Sequence, residues 1–96
     1  MAIHAVFDAQ VSFTTDQELA PVTMYLSERI EPLYMNNHGQ EANACIDELL
    51  VRYRDNPKVQ AFLYAYRGGR NSKLNIDHVL AREDFKRFHA LRETIK

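Results

Sequence analysis

The stretch Tyr64-Ala65-Tyr66-Arg67-Gly68-Gly69-Arg70-Asn71-Ser72-Lys73 decides how the chain divides. Two adjacent glycines follow a helical pattern, and glycine readily takes the left-handed conformation that closes a helix. The pair therefore reads as a stop. It ends a short helix carrying Val59, Phe62, Leu63 and Tyr66, and leaves residues 70–73 as an exposed basic loop. Beyond the loop, Leu74 and Ile76 alternate with Lys73, Asn75 and Asp77, a period of two that admits a short strand over 72–77.

Downstream lies a last helix over about 78–95. Ala81, Phe85, Phe88 and Ile95 mark its buried face, with Leu91 beside it, and Glu83 and Arg87 are spaced to pair on its surface. Upstream, Asn56-Pro57 reads as a helix start, with asparagine as cap and proline at the first helical position. Before it, Ala42, Cys45, Ile46, Leu49 and Tyr53 form the apolar stripe of a helix over about 40–54, with Glu48 and Arg52 four apart on its surface. Asn36-Asn37-His38-Gly39 reads as the preceding loop.

Leu19, Val22, Leu26, Ile30 and Leu33 predict the first helix. Thr15-Asp16-Gln17-Glu18 has the form of its capping box. Pro21 either kinks this helix or sits in its first turn, and Pro32 is expected to end it. At the start of the chain, Ala5, Phe7, Ala9, Val11 and Phe13 alternate with His4, Val6, Asp8, Gln10 and Ser12, which predicts a strand over 3–13. A lone strand needs a partner, either the segment at 72–77 or the same strand of a second copy, which makes a homodimer through this strand one expectation. The fold expected is α+β and mostly helical: four helices packed with one or two short strands, as one domain over 1–96.

Composition narrows the functional classes. Ninety-six residues with 46% apolar and 26% charged side chains suit an ordinary globular domain. No apolar run reaches the roughly 18–20 residues that span a bilayer, and the first residues lack a signal-peptide pattern. A single cysteine, Cys45, forms no internal disulfide and fits a reducing compartment, so a cytoplasmic protein is expected.

Charge is the informative feature. Residues 1–48 hold one basic residue, Arg29, and eight acids, net −7, while residues 49–96 hold eleven basic residues and five acids, net +6. Halves of opposite charge point to a charged partner, or to one half matching the other. The plainer reading is that both faces are simply solvated.

Catalytic motifs are missing. Three glycines cannot build a phosphate-cradling loop or a dinucleotide fingerprint, and no histidine or cysteine spacing supports a metal site. Neither enzymatic activity nor a cofactor or metal is expected. A small metal-independent ribonuclease is the one enzyme reading kept, with Tyr66, Arg67, Arg70, Lys73 and His78 supplying phosphate neutralisation and proton transfer.

Binding needs less geometry. Arg67, Arg70, Lys73, Arg82, Lys86 and Arg87 would form one basic surface if the loop and the last helix face the same way. Glu41, Asp47 and Glu48 offer an alternative, acidic surface. The function expected is non-enzymatic macromolecular binding, as a regulator or inhibitor of a larger protein machine of the bacterial or phage accessory kind. A protein partner ranks ahead of nucleic acid because the overall charge is only −1.

Overall fold

The structure, a computed structural model, describes residues 19–94. The strand expected over 3–13, the capping box and Ile95 lie outside the described residues. Among the described residues every regular element is a helix. The first rod consists of α1 (Leu19–Tyr25), a π-helical turn (Leu26–Ile30) and α2 (Glu31–Met35). It is followed by α3 (Gly39–Arg52), α4 (Pro57–Lys73) and α5 (His78–Thr94). No helix among these residues is long and apolar enough to cross a membrane.

Proline does not end the first rod. Pro32 has no N–H to offer the Glu28 carbonyl, and its ring crowds that carbonyl. The chain resolves this by widening the turn just before it: the Glu31 N–H donates to the Leu26 carbonyl, five residues back. Helical geometry then resumes with Pro32 in the first turn of α2, where an N–H is dispensable. Pro21 likewise falls in the first turn of α1.

The glycine pair does not end α4 either. The helix continues through Gly68 and Gly69 to Lys73, so the expected loop at 70–73 is helical. The strand expected over 72–77 is likewise absent; those residues are the end of α4 and a turn. The actual terminator is Asn75, with φ of 57°. Its N–H bonds to the Ser72 carbonyl and the Ile76 N–H bonds to the Asn71 carbonyl, the two bonds of a Schellman closure. Asn37, with φ of 66°, follows α2 in the same conformation, and the His38 N–H reaches back to the Leu33 carbonyl.

A helical glycine costs about 1 kcal/mol relative to alanine. Packing offsets that cost at Gly68. A β-carbon there would sit 3.2 Å from the Asp84 β-carbon and 3.2 Å from the Phe85 ring, so its absence lets α5 lie close against α4. Gly69 faces open space.

Central position explains the composition of α4. Val59, Ala61, Phe62, Leu63, Ala65 and Tyr66 are all buried, so this helix is covered on most sides. The first rod contributes Leu19, Val22, Leu26, Ile30 and Tyr34 to the same core, α3 contributes Ala42, Ile46, Leu49 and Leu50, and α5 contributes Phe88. Asn56 caps α4 as its sequence implies, its side-chain oxygen accepting from the Val59 N–H at 3.1 Å. Asp77 caps α5 in the same way, accepting from Leu80.

Candidate functional site

The polar residues of α4 face two different clusters. Arg67 is only 3% exposed. Its Nε and Nη2 donate to the two oxygens of Asp84, at 2.8 and 3.0 Å, and its Nη1 donates to Asp47 at 2.6 Å and to the Asn43 carbonyl at 3.3 Å. Asp84 is 1% exposed, whereas the Asp47 side chain remains 70% exposed. One turn along α4, Asn71 and Asn43 form a reciprocal amide pair, 2.8 Å in each direction. The Tyr34 hydroxyl donates to the Asn43 oxygen at 2.7 Å, and Asn71 also donates to the Arg67 carbonyl. This chain of contacts ties the first rod, α3, α4 and α5 together.

The second cluster joins α4 to α2. Arg70 forms an ion pair with Glu31 at 2.7 Å and adds a second bond from its Nε at 2.9 Å. The Tyr66 hydroxyl donates to the same carboxylate at 2.5 Å. The Arg70 guanidinium lies 5.6 Å over the Tyr66 ring, and the Tyr66 and Tyr34 rings meet edge to face at 6.0 Å.

Protonation follows from burial. Desolvation pushes both Tyr34 and Tyr66 well above the ordinary tyrosine value, and the Glu31 carboxylate adds to the rise at Tyr66. Burial works against the charge of Arg67, but its bonds to Asp84 and Asp47 outweigh that and hold the guanidinium protonated. Burial raises the Asp84 carboxyl, while Arg67 pulls it back down. Every buried side-chain polar atom among the described residues has a partner.

These contacts break up the basic surface expected from sequence. Arg67 is interior, held by Asp84 and Asp47, and Arg70 is mostly covered by Glu31, because the segment expected as a loop at 70–73 is helix. Lys73, Arg82, Lys86 and Arg87 are exposed. Arg87 does not join Arg82 and Lys86: at about 100° per residue it lies on the flank of α5, where its guanidinium sits 5.7 Å over the Tyr64 ring. Its expected pairing with Glu83 is replaced by a Glu83–Lys86 contact at 3.9 Å. The residues grouped for phosphate chemistry do not converge on one accessible site, since Tyr66 and Arg67 are buried while Lys73 and His78 are exposed.

On the acidic side, Glu41, Asp47 and Glu48 are all exposed. Asp47 is engaged by Arg67, and Glu41 stands 3.9 Å from His38. The expected Glu48–Arg52 pair does not form. Cys45 is half-buried beside a hollow of about 430 Å³ between α1 and α3, which Pro21, Tyr25, Leu49 and Tyr53 also line. Burial raises its thiol pKa, and the Glu48 and Glu41 carboxylates raise it further. Among the described residues no three His, Cys, Asp or Glu side chains gather to hold a metal ion.

Sequence reading missed Glu31, Tyr34, Asn43, Asn71 and Asp84 as members of these clusters. A signal for Asp84 was present: it stands three after Ala81 and four before Phe88, a charge within an apolar stripe. No family model, no curated protein and no solved structure matches the chain.

Proposed function

We propose that the chain is a non-catalytic protein-binding regulator that engages its partner through segregated surface charge. One observation carries this reading. Internal pairs engage Arg67, Arg70, Glu31, Asp84 and the outward-reaching Asp47, and the other exposed charges lean to opposite signs on two helices. Glu41 and Glu48 outnumber Arg52 on the exposed side of α3, whereas Arg82, Lys86, Arg87 and Arg92 outnumber Glu83 and Glu93 on that of α5, with Lys73 at the end of α4. Sorted charge of this kind steers encounter and sets register with a complementary protein face. A protein partner is favoured over nucleic acid because two arginines of the expected basic face are occupied inside the fold. Phosphate recognition draws most on arginine.

Two measurements test it. Fluorescence anisotropy of labelled single- and double-stranded nucleic acid, from about 50 to 200 mM salt, is expected to show no salt-sensitive binding. Affinity capture with the wild-type chain is expected to retain a protein that the triple variant Lys73→Glu, Arg82→Glu, Lys86→Glu loses at unchanged circular dichroism. Tight, salt-sensitive nucleic-acid binding, or equal capture by both baits, overturns the reading.

A further inference from the structure

The exposed stripes of α3 and α5 are complementary to each other. On α3 the outward positions include Glu41, Ala44, Glu48 and Val51, with steps of three, four and three residues, and Arg52 flanks the last of them. On α5 they include Val79, Arg82, Lys86 and His89, with the same steps; Glu83 flanks Arg82, and Glu93 lies one step further along. This is the spacing of a coiled-coil seam, which keeps one face toward a neighbouring helix. Each stripe is about 15 Å long. Both point away from the core, since the opposite faces bury Ala42, Ile46 and Leu49 on α3 and Ala81, Asp84 and Phe88 on α5.

Laid antiparallel, the stripes match position by position. Val51 meets Val79, and these are the two most exposed of the large apolar side chains among the described residues, at 66% and 70%. Glu48 meets Arg82, and neither forms an ion pair within the described residues. Lys86, which stands 3.9 Å from Glu83 on its own helix, falls opposite the small Ala44, between Glu48 and Glu41, where its long stem has room. His89 falls opposite Glu41.

We infer that the occupant of each stripe is a second copy of this chain, α3 of one molecule packing on α5 of the next. The inference rests on the same segregation of charge as the proposed function and uses the same cations, so self-association and partner binding compete. Because the two stripes lie on different helices, the contact is heterologous. Assemblies therefore grow by repeated addition until a ring closes, rather than stopping at a two-fold dimer. The contact is small and largely ionic, which places it among weak, salt-sensitive interfaces.

Sedimentation velocity from micromolar to millimolar protein, at low and at high salt, tests it. At low salt the mass is expected to rise with concentration above the 11.2 kDa monomer and to fall back at high salt. Glu48→Arg alone and Arg82→Glu alone are each expected to stay monomeric, since like charges then meet. An equimolar mixture of those two variants restores association, because every contact between unlike copies again pairs opposite charges. Both sites are exposed, and circular dichroism verifies the fold of each variant. A wild-type monomer at every concentration, or single variants that associate as wild type does, overturns the inference. Failure of the mixture to recover does the same. Capture of a different protein, measured at micromolar bait, is read separately and is unaffected by that outcome.

Discussion

Arg67 and Asp84, on two adjacent helices, meet through paired hydrogen bonds of 2.8 and 3.0 Å, with both side chains out of solvent. The Arg67 position thus belongs to the interior, and its variants report on stability. Asp47 adds a third bond from the protein surface, so the guanidinium spans the space between α3 and α5.

Replacing Arg67 by alanine strands the buried Asp84 carboxyl and removes the bond to the Asn43 carbonyl. Breaking a buried pair from one side costs about 3–5 kcal/mol. Lys73→Ala and Arg82→Ala, at exposed positions, shift stability by about 0.5 kcal/mol or less. Urea denaturation of the three variants is expected to separate Arg67 sharply from the other two. Equal, small effects at all three would mean that the Arg67–Asp84 pair does not hold α5 in place.

The two glycines predict opposite signs. Gly69→Ala gains helix propensity with nothing within 4 Å to obstruct the new methyl group, and is expected to stabilise by about 1 kcal/mol. Gly68→Ala gains the same propensity but pushes on the Asp84 β-carbon and the Phe85 ring. Asp84 is anchored by Arg67 and cannot yield freely, so the net effect is destabilising. In thermal melts Tm is expected to rise for Gly69→Ala, by about 4–8 °C for each kcal/mol gained, and to fall for Gly68→Ala.

Tyr34 and Tyr66 give the fold an alkaline limit. Each has a folded pKa above its ordinary value of 10.0, so the unfolded chain releases these protons first. Their contribution is complete below pH 10 and is lost as pH rises above it, at about 1.4 kcal/mol per pH unit for each tyrosine. Denaturation midpoints measured at a series of pH values above 10 are expected to fall less steeply in Tyr66→Phe than in wild type. An unchanged slope in that variant would show that the Tyr66 hydroxyl ionises freely in the folded protein.

Local signals were legible where local physics decides. Asn56-Pro57 marks a real helix start, and Val59, Phe62, Leu63 and Tyr66 are buried as their spacing implies. Gly68-Gly69 misled because its intrinsic preference is weak, and the contact that overrides it lies on α5, out of reach of a local reading. With α4 cut short at the glycines, Arg70 falls in a solvent-facing loop and Arg67 at the helix end beside it, and a strand is expected where the helix in fact ends. Asn75, the true terminator, carries a signal second only to glycine, and one that a pair of glycines upstream obscured. The partners of Arg67 were hidden for a different reason. Asp47 and Asp84 lie 20 and 17 residues away, and only the packing of three helices joins them.

The widened turn before Pro32 also sets the phase of everything after it. Val22, Leu26, Ile30 and Tyr34 recur every four residues, and in an unbroken α-helix each such step precesses by about 40°. By Tyr34 the accumulated drift would be about 120°, carrying its ring away from the core. A turn with more residues in it takes that drift back, so all four side chains remain buried. The Tyr34 hydroxyl arrives within 2.7 Å of Asn43 through that same correction. A proline commonly seen as an interruption thus works as a timing element: it fixes the point at which the first rod resets its angular clock.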